Sequence, residues 1–310
     1  SAEDAATSNV ASTRVSAVFA CWPPGPLERE KRNSISARGS MTERVTRIPS
    51  GSMAAILLDV DGVLHVSGEP IPGAVEAIAR LREDGHRLRF VTNNSTRTRA
   101  ALAEELRGLG LELADEELQT TPVAAAEQLG GRRVYALVMS AIVPDLQGIE
   151  LVGEGAEAVL VGGCDETTEP NQVFSHMNLA RAFSEIEAGA DLFCLHKNPW
   201  WQTARGPMLD GGAFVAALEY ATGVEATVIG KPSAACFAAA LAALDAEPEL
   251  TWMVTDDLEQ DVRGAQLFGM RTILLRTGKF RPEALERSST VPDAVLSSIA
   301  NVPDWIERSL

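Results

Sequence analysis

An aliphatic run at Ile56–Leu58 leads directly into two aspartates, Asp59 and Asp61, and then a glycine, Gly62. Three consecutive aliphatic residues predict a strand that is buried on both faces, as in a parallel sheet covered by helices. Side chains alternate along a strand, so both carboxylates are expected on one side, where they repel each other unless a cation lies between them. Ligands of open α/β sheets bind at this end of the strands. The run therefore favours either a metal or catalytic site, or a simple Asp-Gly turn.

The segments that follow alternate between helix and strand. An amphipathic helix begins at Pro72 and ends at Gly85, a strand covers 88–91, and a second helix ends at Gly110. This order is typical of a Rossmann-like, doubly wound parallel α/β sheet. The pattern resumes late in the chain, with predicted strands at 227–229 and 251–255, each followed by a helix. We expect these late strands to extend the same sheet.

The middle of the chain has a different texture and predicts a small inserted α/β unit with its own core. The expected divisions are a first half of the main domain at 53–113, an insertion at 114–210, and a second half at 211–310. Residues 1–52 are rich in Ser, Ala, Thr and Arg and lack sustained apolar periodicity. That composition predicts a disordered N-terminal extension.

Charge and composition limit the partners. The formal net charge is −16 and no basic stripe offsets it, which argues against a nucleic-acid or anionic-membrane partner. No apolar run reaches the roughly 18 residues that span a bilayer. Four cysteines stand far apart without a CxxC pair, so we expect reduced thiols in a cytoplasmic protein. A homodimer is compatible with these features but not indicated by them.

Polar clusters follow four of the predicted strands, and the ends of parallel strands lie along one edge of a sheet. Each cluster alone has an ordinary explanation as a helix cap or a surface group. Together they combine carboxylates for a cation with a hydroxyl and a scarce lysine for an anion, because only four lysines occur. The clusters are Asp59 with Asp61, Thr92 with Asn93, Lys231, and Asp256 with Asp257 and Asp261.

This inventory suits phosphoryl transfer, which needs positioning and charge neutralisation. Asp59 would attack phosphorus and form an aspartyl phosphate, and Asp61 would act as general acid and then general base. Mg²⁺ would bridge Asp59 and Asp256, while Thr92 and Lys231 hold phosphate oxygens. The prediction is a Mg²⁺-dependent phosphatase that acts on a small phosphorylated metabolite. The alternative is a catalytically weak or silent phosphoryl-binding protein.

Four motifs resemble those of haloacid dehalogenase-superfamily phosphatases, namely DVDGVL, VTNNS, GKP and TDDLEQD. The insertion is similar to the C2A-type cap of subfamily IIA. The segments HKN, FVAALEYAT and RTGKFRP also resemble the haloacid dehalogenase-like hydrolase domain-containing protein 2 group. This resemblance implies the same roles for the core residues, adds the backbone carbonyl of Asp61 to the metal ligands, and makes Asp261 a supporting acid. We also expect Asn93 to contribute to the phosphate site and Asp257 to support the metal site. One departure is Thr255, which stands where the superfamily usually has glycine.

Three cationic residues, His196, Lys197 and Arg205, lie in a loop-rich stretch where the insertion returns to the main domain. They are candidates for substrate specificity in an acidic protein with an anionic substrate, although hinge packing explains them equally well.

Other functions fit less well. A dehalogenase of the same superfamily needs neither Mg²⁺ nor the second aspartate, a phosphorelay receiver carries no insertion, and a dinucleotide-binding module needs a GxGxxG that is absent here.

Overall fold

The computed structural model describes residues 53–66, 68–203 and 206–309, without the side chains of 202 and 203. The predicted extension 1–52 and the specificity candidate Arg205 lie outside the described residues. Among the described helices, none has the length and apolarity to cross a membrane.

The described strands, in chain order, are β1 (Ala55–Leu58), β2 (His65–Val66), β3 (Glu69–Pro70), β4 (Arg87–Thr92), β5 (Leu118–Thr120), β6 (Arg133–Leu137), β7 (Glu150–Leu151), β8 (Ala158–Val161), β9 (Asp191–Cys194), β10 (Trp200–Thr203), β11 (Gly206–Leu209), β12 (Thr227–Val228), β13 (Thr251–Thr255), β14 (Arg271–Leu275) and β15 (Ala294–Leu296).

The described α-helices are α1 (Ala74–Glu83), α2 (Arg99–Gly108), α3 (Thr121–Leu129), α4 (Glu169–Val173), α5 (His176–Glu187), α6 (Gly211–Thr222), α7 (Ala234–Leu244), α8 (Arg263–Leu267), α9 (Pro282–Arg287) and α10 (Val302–Ser309). A π-helical turn at Leu258–Val262 leads into α8.

The first sheet has six parallel strands in the order β15-β14-β13-β1-β4-β5. From β1 the chain first adds β4 and β5 on one side and later β13, β14 and β15 on the other. The strand order therefore reverses at β1, and this is where open α/β sheets bind their ligands. The predicted doubly wound parallel α/β fold is confirmed.

Strand β1 is buried on both faces, as the aliphatic run predicts. Ile56 and Leu58 join the core that α1, α2 and α10 cover, while Leu57 points into the opposite core with Phe237 of α7. All three aliphatic side chains of β1 are inaccessible to solvent. Burial of each stabilises the fold by about 1.5–3 kcal/mol relative to exposure. The rigid strand then places the two aspartates at its end.

The second sheet has five parallel strands in the order β12-β9-β8-β6-β7. Alternate residues of β8 face two separate cores, Val159 with α5 and α6, and Leu160 with α3. An antiparallel hairpin of β10 and β11 follows β9. The second sheet thus has apolar cores of its own on both faces.

The division between the two sheets differs from the expected boundaries at 113/114 and 210/211. Strand β5 pairs with β4 of the first sheet, although it follows residue 114. Strand β12 pairs with β9 of the second sheet, and the amides of Ile229 and Gly230 continue that pairing onto Cys194 and Leu195 carbonyls. The expectation that 227–229 extends the first sheet is therefore wrong. A two-residue strand carries no periodicity that would indicate its partner.

Candidate active site

Asp59 follows β1 and is almost completely buried, with 6% of its surface exposed. Its amide donates to the Val254 carbonyl of β13, which continues the strand pairing. Its Oδ1 accepts from the Val60 amide at 2.7 Å and lies 2.7 Å from Nζ of Lys231. These contacts fix the orientation of the carboxylate and place a cation beside it.

Asp61 is the more accessible of the two aspartates, with 57% of its side chain exposed. Thr92 at the end of β4 donates to its Oδ2 at 3.4 Å, and Nε2 of the buried His65 lies 3.8 Å from its Oδ1. The amide of Gly68 donates to Nδ1 of His65, so a neutral His65 carries its proton on Nε2, toward Asp61. Asp61 is therefore oriented by its neighbours while it stays open to a leaving group or a water molecule.

Lys231 reaches this site from the second sheet rather than from a strand end of the first. The side-chain amide of Asn93 accepts from the Lys231 amide and donates to the Lys231 carbonyl, each at 2.9 Å. The buried Nζ lies 2.7 Å from both Asp59 and Asp261. Burial lowers the pKa of Lys231, but the two carboxylates outweigh it and raise the pKa overall. The lysine thus keeps a charged ammonium beside the Asp59 carboxylate.

The side chain of Asn93 therefore holds Lys231 in place, while its predicted contact with phosphate stays a prediction. The two bonds join residues that are 138 positions apart in the chain. Thr92 is buried next to Asp61, and its Oγ1 also accepts from the Asn94 amide at 3.0 Å. The loop after β4 accordingly links the first strand to the lysine.

Asp256 at the end of β13 is buried and only partly hydrogen-bonded. Its Oδ2 accepts from the Lys279 amide at 2.6 Å, whereas its buried Oδ1 has no hydrogen-bond partner among the described residues. Burial and the Asp59 carboxylate raise the pKa of Asp256 to about 7. Thr277 Oγ1 donates to the Gly62 carbonyl and fixes the turn that carries Lys279. A buried carboxylate oxygen that lacks a donor is suited to a cation.

These donors fit Mg²⁺, which takes oxygen ligands and typically uses one or two carboxylates together with water and substrate phosphate. Asp59 and Asp256 would supply the carboxylates. Burial and the nearby Asp59 carboxylate raise the pKa of Asp256, and a divalent cation would offset both effects. The described residues contain no group of three or more His, Cys, Asp or Glu side chains arranged to hold a metal. A metal site made of two carboxylates, a backbone carbonyl and waters does not require such a group of three side chains.

Asp257 and Asp261 both contact lysines near the candidate site, and their predicted supporting roles stay predictions. Asp257 Oδ1 accepts from the Gln260 amide at 3.0 Å and so caps the π-helical turn, and its Oδ2 lies 3.2 Å from Nζ of Lys279. Asp261 Oδ2 is 2.7 Å from Nζ of Lys231 and 2.9 Å from the Thr255 hydroxyl. Burial raises the pKa of Asp261 even though Lys231 opposes this shift.

The geometry does not support a cationic role for His196. The ring is buried, its Nε2 lies 2.9 Å from Ser95 Oγ, and its Nδ1 accepts from the Asn198 amide at 3.3 Å. Burial lowers the pKa of His196 despite the nearby Asp210 carboxylate. His196 is therefore a neutral contact between the loop after β4 and the second sheet.

Lys197 forms an ion pair with Glu219 of α6, with 2.7 Å between Nζ and Oε1. Glu219 Oε1 also accepts from the Ala226 amide, so the pair joins the loop after β9 to the loop before β12. The predicted substrate contact of Lys197 stays a prediction.

Sequence reasoning missed the roles of Thr255, Thr277 and Lys279. The scarcity of lysine could have indicated Lys279 as a site residue, because it is one of only four lysines in the chain. Thr255 could have been indicated by its hydroxyl, because the related motif usually has glycine at this position. The contact that Thr277 makes with the Gly62 carbonyl joins residues 215 positions apart, and no local pattern indicates it.

Two family models match the chain. One is described as haloacid dehalogenase-like hydrolase and matches residues 56–151, and the other is described as HAD-hydrolase-like and matches residues 228–302. The two ranges contain the residues at the ends of β1, β4 and β13 together with Lys231. The matches thus coincide with the candidate site.

Several curated relatives and solved structures are similar over most of the chain. The haloacid dehalogenase-like hydrolase domain-containing protein 2 of Bos taurus is 36% identical over 84% of this chain and 98% of its own length. The phospholysine phosphohistidine inorganic pyrophosphate phosphatase of Xenopus laevis is also 36% identical, over 84% of this chain and 97% of its own.

Solved structures extend this similarity to the fold. A p-nitrophenyl phosphatase from Archaeoglobus fulgidus superposes with a TM-score of 0.75 at 28% identity, over 82% of this chain and 99% of the other. A glycerol phosphate phosphatase from Mycobacterium tuberculosis, solved in complex with magnesium, gives a TM-score of 0.70 at 28% identity, over 80% and 75% of the two chains.

Proposed function

The chain belongs to the haloacid dehalogenase-like hydrolases and is a phosphatase of that family, and on this premise we propose that it hydrolyses a small phosphate monoester with Mg²⁺ through an aspartyl phosphate on Asp59. The observation that carries the proposal is the arrangement around Asp59. The buried Asp59 carboxylate lies 2.7 Å from a buried lysine, with an accessible second aspartate two residues along the chain.

In the first half-reaction an Asp59 oxygen attacks phosphorus, and the bond from phosphorus to the leaving-group oxygen breaks. The protonated Asp61 gives its proton to that oxygen, so the alcohol leaves neutral. Lys231 neutralises charge on the phosphoryl oxygens, because its ammonium is held beside Asp59 and keeps its proton.

In the second half-reaction water attacks the phosphorus of the aspartyl phosphate. Asp61, now a carboxylate, takes a proton from that water, and the bond between phosphorus and Asp59 breaks to release phosphate. The exposure of Asp61 supports both roles, since it has to meet first the leaving group and then water.

Asp59, Asp256 and the backbone carbonyl of Asp61 would hold Mg²⁺. When bound, the ion would supply charge neutralisation for the two carboxylates and for the phosphoryl group. Its support in this chain is the buried Asp256 oxygen, which has no donor among the residues that the structure describes.

Hydrolysis of p-nitrophenyl phosphate with and without Mg²⁺ tests the proposal. We expect Asp59→Asn to fold normally and to lose turnover by more than roughly 10³-fold, the scale for deletion of a covalent nucleophile. The matched control is Asp84→Asn, the same chemical change at the C-terminus of α1. Near-normal turnover of Asp59→Asn, or full activity of wild type in excess chelator, contradicts the mechanism.

A wild-type protein that binds phosphate but does not turn over any phosphate ester would instead match the catalytically silent alternative. The Bos taurus relative has a name without a substrate, and the Xenopus laevis relative has a name with several, so a panel of phosphorylated metabolites has to identify the substrate. The cytoplasmic location, the lack of nucleic-acid and membrane partners, and any homodimer stay predictions.

A further inference from the structure

Thr255, the last residue of β13, is fully buried behind the candidate site. Its hydroxyl donates to Oδ2 of Asp261 at 2.9 Å and accepts from the Asp257 amide at 3.1 Å. One hydroxyl therefore joins Asp257, at the start of the turn after β13, to Asp261, near the end of that turn. Glycine, which the resembling motif usually has at this position, cannot form this link.

The link continues to the nucleophile. The Asp261 oxygen that accepts from Thr255 also accepts from Nζ of Lys231 at 2.7 Å, and the same Nζ lies 2.7 Å from Asp59. Thr255, Asp261, Lys231 and Asp59 thus form one continuous chain of polar contacts, and all four residues are buried. Networks of this kind in a low-dielectric interior fix the position of each member.

We propose that Thr255 is a positioning residue that sets the place of Lys231 through Asp261, an inference that rests on the proposed function of the site. The terminal torsion of an aspartate is broad, so a single bond to Lys231 leaves the Asp261 carboxylate free to rotate. The second bond, from Thr255, removes that freedom and keeps the ammonium at the phosphoryl position. Small displacements of a charged group matter more in the transition state than in substrate binding.

Thr255→Val tests the inference, because valine has nearly the same shape and no hydroxyl. We expect kcat on p-nitrophenyl phosphate to fall on the order of tenfold while KM changes much less. Thr255→Ser, which keeps the hydroxyl, should restore kcat. Thr255→Ala provides a second hydroxyl-free variant if valine prevents folding.

Thr272→Val is the matched control. Thr272 is also a fully buried strand threonine, and its hydroxyl donates to Asp293 at 3.0 Å, but it lies near the start of β14, away from the site. This variant should lose stability and keep kcat per folded molecule. A lower kcat in Thr255→Val with a normal kcat in Thr272→Val distinguishes the positioning of Lys231 from a general loss of strand stability.

Wild-type kcat in Thr255→Val or in Thr255→Ala overturns the inference alone, as does a loss in Thr255→Ser equal to that in Thr255→Val. A wild-type protein that neither turns over p-nitrophenyl phosphate nor binds inorganic phosphate overturns the proposed function and this inference together.

Discussion

Gly278 lies in the turn that covers Asp256, and replacing it with alanine should move the carboxylate. Its φ is +47°, and an added Cβ would be 2.0 Å from Asp256 Oδ2 and 2.7 Å from the Gly62 Cα. Ordinary contacts of a Cβ begin near 3.4 Å, so the carboxylate has to shift by about 1.4 Å. The Lys279 amide, which holds the same oxygen, sits on the same turn and moves with it.

That shift exceeds what either the metal or the chemistry tolerates. Metal ligands hold their distances within about 0.2 Å, and a misplacement of about 1 Å costs roughly 10²-fold in rate. We expect Gly278→Ala to lower kcat/KM by about 100-fold and to weaken Mg²⁺ binding by at least about tenfold. Alanine in the left-handed region also costs roughly 1–2 kcal/mol of stability.

Gly223→Ala separates the two effects. Gly223 ends α6 with φ of +71°, and a Cβ there meets no atom within 4 Å. Both variants carry the left-handed backbone cost, but only Gly278→Ala displaces Asp256. The measurements are the melting temperature without metal, calorimetric titration with Mg²⁺, and hydrolysis of p-nitrophenyl phosphate across Mg²⁺ concentrations.

Gly278→Ala with Mg²⁺ affinity and turnover close to those of Gly223→Ala would refute this reasoning. Equal losses in both variants would assign the effect to the backbone and not to the carboxylate.

Three further outcomes follow from the same site. Asn93→Ala removes both hydrogen bonds to the Lys231 backbone and should lower kcat about tenfold, whereas an unchanged kcat would show that the lysine is held without it. The raised pKa of Asp256 means that the metal-free fold binds a proton more tightly than the unfolded chain, so this contribution to stability is lost as pH rises toward about 7. Mg²⁺ should therefore raise the melting temperature more at about pH 8 than at about pH 5, and the reverse order in thermal-shift assays would exclude Asp256 as a ligand. Burial raises the pKa of the Cys236 thiol to about 12, so mass spectrometry should find this residue unlabelled after the native protein meets a thiol reagent near pH 8.

The sequence by itself determined the elements and the chemistry of the first strand. The run Ile56–Leu58 predicts a strand covered on both faces, and local side-chain spacing also specifies the neighbouring helices and strands. The polar residues after those strands identify phosphoryl chemistry because few other reactions need carboxylates, a hydroxyl and a lysine together.

Only the tertiary structure decided which sheet carries Lys231 and how that lysine is held. Strand β12 has two paired residues, too few to show a preference for either sheet, and Asn93 meets the lysine backbone across 138 positions. The burial of His196 is likewise set by where loops from both sheets meet. Side-chain spacing reports which face of an element is apolar, whereas the partner of a polar group depends on packing between elements distant in the chain.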